Sequence, residues 1–259
     1  MHNVAIALHK KGLVVTGSDD QIFEPSRSRL EKHGLLPKEM GWDANRISSE
    51  IDVVILGMHA KADNPELLRA QELGLRICSY PEYVYEQAQH KQRVVIGGSH
   101  GKTSITSMIL HVLQEQQMEF DYLVGAQLDG FETMVQFSDA PLMFIEGDEY
   151  LSSPIDRRPK FLWYKPHIAV LSGIAWDHIN VFPTFENYVQ QFDLFVDTIL
   201  EDGKLFYFGA DDELKKIVSG KQRKIKARTY DSHPHKIVDG ETLLQYEDQW
   251  IPVSVFGEH

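Results

Sequence analysis

Basic residues are scarce in this chain. It carries 26 Lys and Arg against 38 Asp and Glu, a formal net charge of −12. That balance excludes non-specific binding of nucleic acid or of an anionic membrane over the whole surface. A small anionic ligand stays open, because it needs only a local basic pocket. Cysteine is scarcer still: Cys78 is alone, so no disulfide can form within the chain. It follows Leu75-Arg76-Ile77 and is expected at a strand end or in the core, as an apolar filler rather than a nucleophile. No apolar run approaches the ~18 residues of a membrane span, and no signal-peptide pattern opens the sequence. A cytoplasmic protein is the default expectation. Internal repeats and low-complexity segments are also lacking.

The rest of the composition is that of an ordinary globular protein, with 42% hydrophobic and 25% charged residues. Its 259 residues are enough for two domains at ~100–200 residues each.

The most informative stretch is Arg93-Val94-Val95-Ile96-Gly97-Gly98-Ser99-His100-Gly101-Lys102-Thr103-Ser104. An apolar β-branched run ends in small residues, and a helical pattern from Ile105 to Gln117 follows. This is the strand, loop and helix order of a phosphate-binding loop. Glycines let successive N–H groups converge on one phosphate, and the helix N-terminus adds partial positive charge. Lys102 is placed to reach the β- and γ-phosphates and Thr103 to meet Mg²⁺. The loop is one or two residues shorter than the common pattern, whose first glycine would fall at Ile96. The plainer alternative is a strand-to-helix turn with a surface lysine.

Around this stretch, helices and strands alternate. A helix over 1–11 ends at Gly12, and Leu13 to Asp20 reads as a short buried strand ending in a Gly/Asp turn. Helices are expected over 22–34, 64–73 and 81–89, with strands over 51–57 and 75–79. The polar stretch 87–93 marks a boundary. Beyond it come strands over 142–146, 167–172 and 204–208 and helices over 184–200 and 211–218. Residues 121–127 read as a strand or a loop. The basic stretch from Lys215 to Arg228 reads as a solvated face. Residues 243–246 and 251–256 read as a hairpin. Such alternation predicts a doubly wound, mostly parallel α/β sheet with a β-rich end.

Two further segments carry chemistry. Phe144-Ile145-Glu146-Gly147-Asp148-Glu149-Tyr150 delivers three carboxylates to the C-terminal end of an apolar strand, where ligands bind in open α/β sheets. Clustered carboxylates repel unless a cation sits among them, and Mg²⁺ is the obvious one beside a phosphate loop. Trp176-Asp177-His178 lies just past another strand. A lone histidine is more often structural, but its place at a strand end favours a functional role.

The Gly98-Ser99-His100-Gly101-Lys102-Thr103 loop, the Ile145-Glu146-Gly147-Asp148-Glu149 strand end and Asp177-His178 together resemble the Mur ligases. These are ATP-dependent amide-forming enzymes of bacterial peptidoglycan synthesis, and the resemblance spans the whole chain. The loop histidine and acidic cluster resemble the branch that acts on UDP-N-acetylmuramate. Asp148-Glu149-Tyr150 with Asp156-Arg157-Arg158-Pro159-Lys160-Phe161 resembles the murein peptide ligase subgroup, which joins the tripeptide L-Ala-γ-D-Glu-meso-diaminopimelate to that sugar nucleotide. The alanine-adding ligases are the alternative, and a nucleotide-binding module without ligation is an alternative of another class.

The resemblance implies a Rossmann-like UDP-sugar domain over residues 1–88 and a central ATP-binding domain over 89–259. It also implies that the first strand and the C-terminal, amine-binding domain lie outside this sequence, leaving a fragment inactive alone. ATP would lie on Gly98, Ser99, His100, Gly101, Lys102, Thr103 and Ser104. Mg²⁺ would lie on Thr103, Glu146 and His178, and Lys102, Glu146 and His178 would be the catalytic set. Ser18, Asp19, His59, Asn64, Asp148, Glu149, Arg157 and Arg158 would border the UDP-sugar. Gly173 and Asn180 depart from the family's usual Asn and Asp near this histidine. No lysine lies between Ile179 and Leu200 to be carbamylated, as in the UDP-N-acetylmuramate-using branch. The implied partners are small molecules, with neither nucleic acid nor membrane.

Overall fold

The structure is a computed structural model and describes residues 1–58 and 60–254. His59, one of the expected sugar-site residues, and 255–259, which hold the end of the expected hairpin, lie outside the described residues.

The N-terminal part holds helix α1 (His2–Lys10), α2 (Ser26–Lys32), strand β1 (Val53–Leu56), α3 (Pro65–Glu72), β2 (Arg76–Ser79) and α4 (Tyr80–Gln87). Strands β1 and β2 pair in parallel. The side chain of Asn64 accepts hydrogen bonds from the N–H groups of Glu66 and Leu67, and Pro65 fixes the first turn, which starts α3. A reciprocal Ser79–Glu82 capping box starts α4.

The expected strand over Leu13–Asp20 does not form. A strand needs a neighbour to take its backbone hydrogen bonds, and no described strand pairs with this segment. Val14 is consequently 99% exposed. Helix α2 also starts later than expected, after Pro25, and ends at a left-handed Gly34.

The rest is built on a seven-stranded sheet. Its elements are β3 (Gln92–Gly97), α5 (Lys102–Glu115), β4 (Asp121–Leu123), β5 (Val135–Gln136), β6 (Leu142–Glu146), β7 (Ile168–Leu171), α6 (Phe185–Asp197), β8 (Lys204–Phe208), α7 (Asp212–Gly220) and β9 (Lys226–Tyr230). The spatial order is β5-β4-β6-β3-β7-β8-β9, parallel except for the β4–β5 pair. Strands β10 (His235–Val238), β11 (Glu241–Tyr246) and β12 (Gln249–Val253) form a separate antiparallel sheet. The fold is therefore mixed α/β with a mostly parallel central sheet and a β-rich end.

The alternation of side chains along β3 explains the layering. Val95 enters the core shared with Val84 of α4, Tyr188, Phe192 and Phe195 of α6, and Leu214 and Ile217 of α7. Val94 and Ile96 enter the opposite core, with Leu110 of α5 and Phe144 of β6. Both faces are covered, as a parallel sheet requires. Cys78 is buried in the first of these cores, and burial pushes its thiol up to about 12.

Topology fixes the position of the site. From β3 the chain moves through α5 to one side of the sheet. It later returns past β3 to β7, then moves through α6 to the other side. The C-terminal ends of β3 and β7 therefore flank a switch point, where α/β sheets open a crevice.

Candidate active site

Gly98, with φ +127°, turns the chain out of β3, and Gly101, with φ +78°, turns it into α5. Helix α5 starts three residues earlier than the sequence pattern suggests, so Lys102, Thr103 and Ser104 form its first turn. Among the described residues no side chain caps this helix. Its first N–H groups are free to meet an anion, and the dipole favours one.

Strand β6 lies beside β3 and brings its carboxylates to this loop. Thr103 Oγ1 donates to Glu146 Oε1 at 2.9 Å, and the N–H of Gly125 donates to Glu146 Oε2 at 3.0 Å. Lys102 Nζ lies 2.6 Å from the carbonyl oxygen of Gly98 and 3.1 Å from Glu149 Oε2. Glu149 is fully buried, so this ion pair sits at the centre of the site. Asp148 turns the other way, to Lys160. Burial raises the Asp148 carboxyl, but the Lys160 ammonium and a hydrogen bond from the Tyr150 N–H outweigh it and hold the group below its ordinary value.

The loop after β7 closes the far side. His178 has φ +53°, and Asp177 Oδ1 accepts its N–H at 2.6 Å. A left-handed histidine is uncommon and marks a chain turned to aim a side chain. His178 Nε2 lies 3.6 Å from Glu149 Oε1, and the Tyr150 ring packs edge-on against the imidazole. Glu149, Asp177 and His178 each offer one ligand atom, all within 4.8 Å of one another. Two carboxylates and an imidazole on one point suit a divalent cation.

The structure thus brings Lys102, Thr103, Glu146, Glu149 and His178 together. Glu149, expected beside the sugar, stands with Lys102 and His178. Ser99 gives its N–H to the carbonyl of Gly173 and its hydroxyl to Tyr188, and His100 is exposed, with its carbonyl accepting the Ser172 hydroxyl. The other expected sugar-site residues make contacts of their own or are exposed. Ser18 is held by Glu66 and Arg46, and Asn64 caps α3. Asp19 is exposed, its carbonyl accepting the N–H of Gly41. Arg158 pairs with Asp156 and stacks over Trp163 at 4.1 Å, while Arg157 is exposed. Sequence reasoning missed Tyr188, whose hydroxyl reaches Glu149 from α6. An aromatic at helical spacing reads as core, and only the sheet topology brings it to the carboxylate.

A glycine-rich loop on a switch point, faced by buried carboxylates and a histidine, is an arrangement whose chemistry suits phosphates and a cation in an α/β protein. Residues 96–255 match the family described as the Mur ligase middle domain. The chain belongs to the Mur ligase family. It is 26% identical over 273 residues to the UDP-N-acetylmuramate–L-alanyl-γ-D-glutamyl-meso-2,6-diaminoheptandioate ligase of Escherichia coli, covering 100% of this chain and 58% of that protein. It is 30% identical over 273 residues to the UDP-N-acetylmuramate–L-alanine ligase of Lactobacillus acidophilus, again covering 100% and 58%. The crystal structure of the UDP-N-acetylmuramate:L-alanyl-γ-D-glutamyl-meso-diaminopimelate ligase from Neisseria superposes with a TM-score of 0.84 at 25% identity, over 96% of this chain and 82% of that one. The chain spans about half the length of the curated relatives it matches, 48% and 58% of the two diaminoheptandioate ligases.

Proposed function

We propose that this chain carries the nucleotide and sugar-nucleotide sites of a ligase that joins the tripeptide L-Ala-γ-D-Glu-meso-diaminopimelate to UDP-N-acetylmuramate in the cytoplasm. The observation that carries the reading is the meeting of Lys102, Thr103, Glu146, Glu149 and His178 at one phosphate loop. The tripeptide-adding and alanine-adding relatives are similarly distant, so L-alanine remains the competing amine.

In this reading residues 89–259 hold ATP and residues 1–88 hold the UDP-sugar. The free N–H groups of the first turn of α5 hold the phosphates. Lys102 leaves Glu149 for the transferring phosphoryl group and stabilises its charge as the sugar's lactyl carboxylate attacks. Thr103 and Glu146 would hold one Mg²⁺, and Glu149, Asp177 and His178 a second. The ions would supply charge neutralisation between two anions that must approach. An amine then displaces phosphate from the acyl phosphate, and its selection falls to segments of the longer relatives beyond the matched part.

The test is phosphate release by the purified chain, and by that chain extended to the length of its relatives, with ATP, Mg²⁺ and UDP-N-acetylmuramate. Each is run with L-alanine or with the tripeptide. Release that requires the sugar nucleotide and rises only with tripeptide supports the proposal. Release that rises only with alanine assigns the other amine. Release indifferent to the sugar nucleotide removes the ligase reading.

A further inference from the structure

Tyr188 is fully buried, yet its hydroxyl is the meeting point of two segments of the site. It lies 2.9 Å from Ser99 Oγ in the phosphate loop and 3.0 Å from Glu149 Oε1 after β6. Ser99 Oγ in turn accepts the N–H of Ala175 at 2.8 Å, in the loop that carries Asp177 and His178.

The proton directions in this chain are determined. Glu149 faces the Lys102 ammonium and is a pure acceptor when ionised, so the tyrosine proton must point at it. The tyrosine oxygen then has only lone pairs to offer, so the serine proton must point at the tyrosine. The serine oxygen is left to accept from Ala175. Every link is aimed the same way, from the β7 loop through the phosphate loop and α6 to the carboxylate, and aligned hydrogen bonds strengthen one another.

From this geometry we infer that Tyr188 is a positioning residue: it fixes Oε1 of Glu149 toward His178 and Asp177 when Lys102 moves away to a bound nucleotide. Lys102 holds Glu149 only while no phosphate competes for the ammonium. Once it leaves, the buried carboxylate keeps, among the described residues, one fixed donor, the Tyr188 hydroxyl, and otherwise depends on a cation. The ring cannot follow a drifting carboxylate. It is packed against Phe182 and Phe192, with centroids 5.5 and 5.2 Å away. Tyr188 thus sets the cation geometry without touching nucleotide or sugar. The inference rests on the cation site proposed above.

The experiment measures Mn²⁺ binding by electron paramagnetic resonance, with and without the non-hydrolysable ATP analogue AMP-PNP, for the wild-type chain, Tyr188→Phe and Ser99→Ala. Phenylalanine keeps the packed ring and removes only the hydroxyl. The expected result for Tyr188→Phe is about 10- to 100-fold weaker Mn²⁺ binding in the presence of AMP-PNP, the usual effect of removing a partner that orients a ligand. Metal-free AMP-PNP binding should be unchanged. Ser99→Ala breaks the chain one link earlier and should weaken Mn²⁺ in the same direction by less, which keeps the test open if Tyr188→Phe folds poorly. Equal Mn²⁺ affinity in wild type and Tyr188→Phe overturns the inference and leaves the nucleotide site standing. Failure of the wild type to bind Mn²⁺ with AMP-PNP overturns the site reading and this inference together.

Discussion

Lys102 and Glu149 face each other with Nζ 3.1 Å from Oε2, a pair formed between the phosphate loop and the strand end beside it. The carboxylate is fully buried and the lysine part-buried. Removing the lysine strands an unpaired charge, and breaking a buried pair this way costs ~3–5 kcal/mol. Lys102→Met should therefore lose both nucleotide binding and stability. Glu149→Gln should lose Mn²⁺ but less stability than Lys102→Met, because the part-exposed Lys102 keeps the Gly98 carbonyl and Tyr188 can still donate to the amide oxygen. The double variant should regain most of the stability lost by Lys102→Met without regaining nucleotide binding. Urea unfolding of the four proteins checks this, and a double variant no more stable than Lys102→Met would refute the coupling.

Gly98 has φ +127°, and an added Cβ would run into the Ser172 hydroxyl and lie 2.9 Å from the Ser172 nitrogen. The obstacle includes backbone of β7's end, so the loop must move rather than its neighbour. Gly98→Ala should cost ~1–3 kcal/mol in strain and weaken AMP-PNP binding at least about tenfold, equivalent to ~1.4 kcal/mol. A calorimetric titration with AMP-PNP reads the affinity. Wild-type affinity in a folded Gly98→Ala protein would mean that this turn does not set the phosphate loop.

The sequence patterns that were legible are those set by local chemistry. Strands β6 and β8 fall on the residues their apolar runs mark, and Thr184 and Asp211 start α6 and α7 with side-chain caps. Leu13 to Asp20 has the composition of a strand, but pairing is not a local property. Strand β9 escaped notice because it is an edge strand, mostly exposed, whose Lys226 and Arg228 read as solvated charge. The basic stretch around it is paired: Lys221 and Arg223 with Asp193 and Asp197, and Lys224 with Glu201. In the site, the glycine-lysine loop and the acidic strand end were visible as motifs. The partition of the acidic cluster was not, because Asp148 and Glu149 are adjacent in sequence and point to different lysines.

Arg93 illustrates a buried charge with no carboxylate partner among the described residues. Its guanidinium donates to the carbonyls of Ala88, Gln89, Lys91, Tyr164 and Lys165 and packs over the Tyr85 ring. Burial holds it below its ordinary value. It ties the segment after α4 to the loop before β7, where irregular backbone would otherwise lose its acceptors' partners. Each such acceptor left bare costs ~1–3 kcal/mol. Arg93→Met should therefore lose at least ~3 kcal/mol, and Arg93→Lys less, since an ammonium keeps donors for one of the two segments but cannot span both. Thermal unfolding distinguishes them, and two equally mild variants would show that water satisfies these carbonyls.

Glu132, in the connection between β4 and β5, receives Lys10 of α1 at 2.6 Å and Lys32 of α2 at 2.8 Å. The hydrogen bonds from Lys10 and then Lys32, with their charges, lower its carboxyl from 4.5 to about 2. A depressed carboxylate contributes stability above its unfolded value and loses it as pH falls through the folded one. The contribution should be complete above about pH 5, decline between 4.5 and 2, and vanish below. Because Glu132 is 51% exposed, solvent screening limits its size to about 1 kcal/mol. Glu132→Gln should thus be about that much less stable than wild type at pH 7, with the gap narrowing at pH 3 and in high salt. Urea midpoints at pH 7, 5, 4 and 3 measure it. A gap that stays constant down to pH 3 would place the effect of the substitution in packing, not in the ion pairs that Glu132 makes with Lys10, Lys32 and, when protonated, His33.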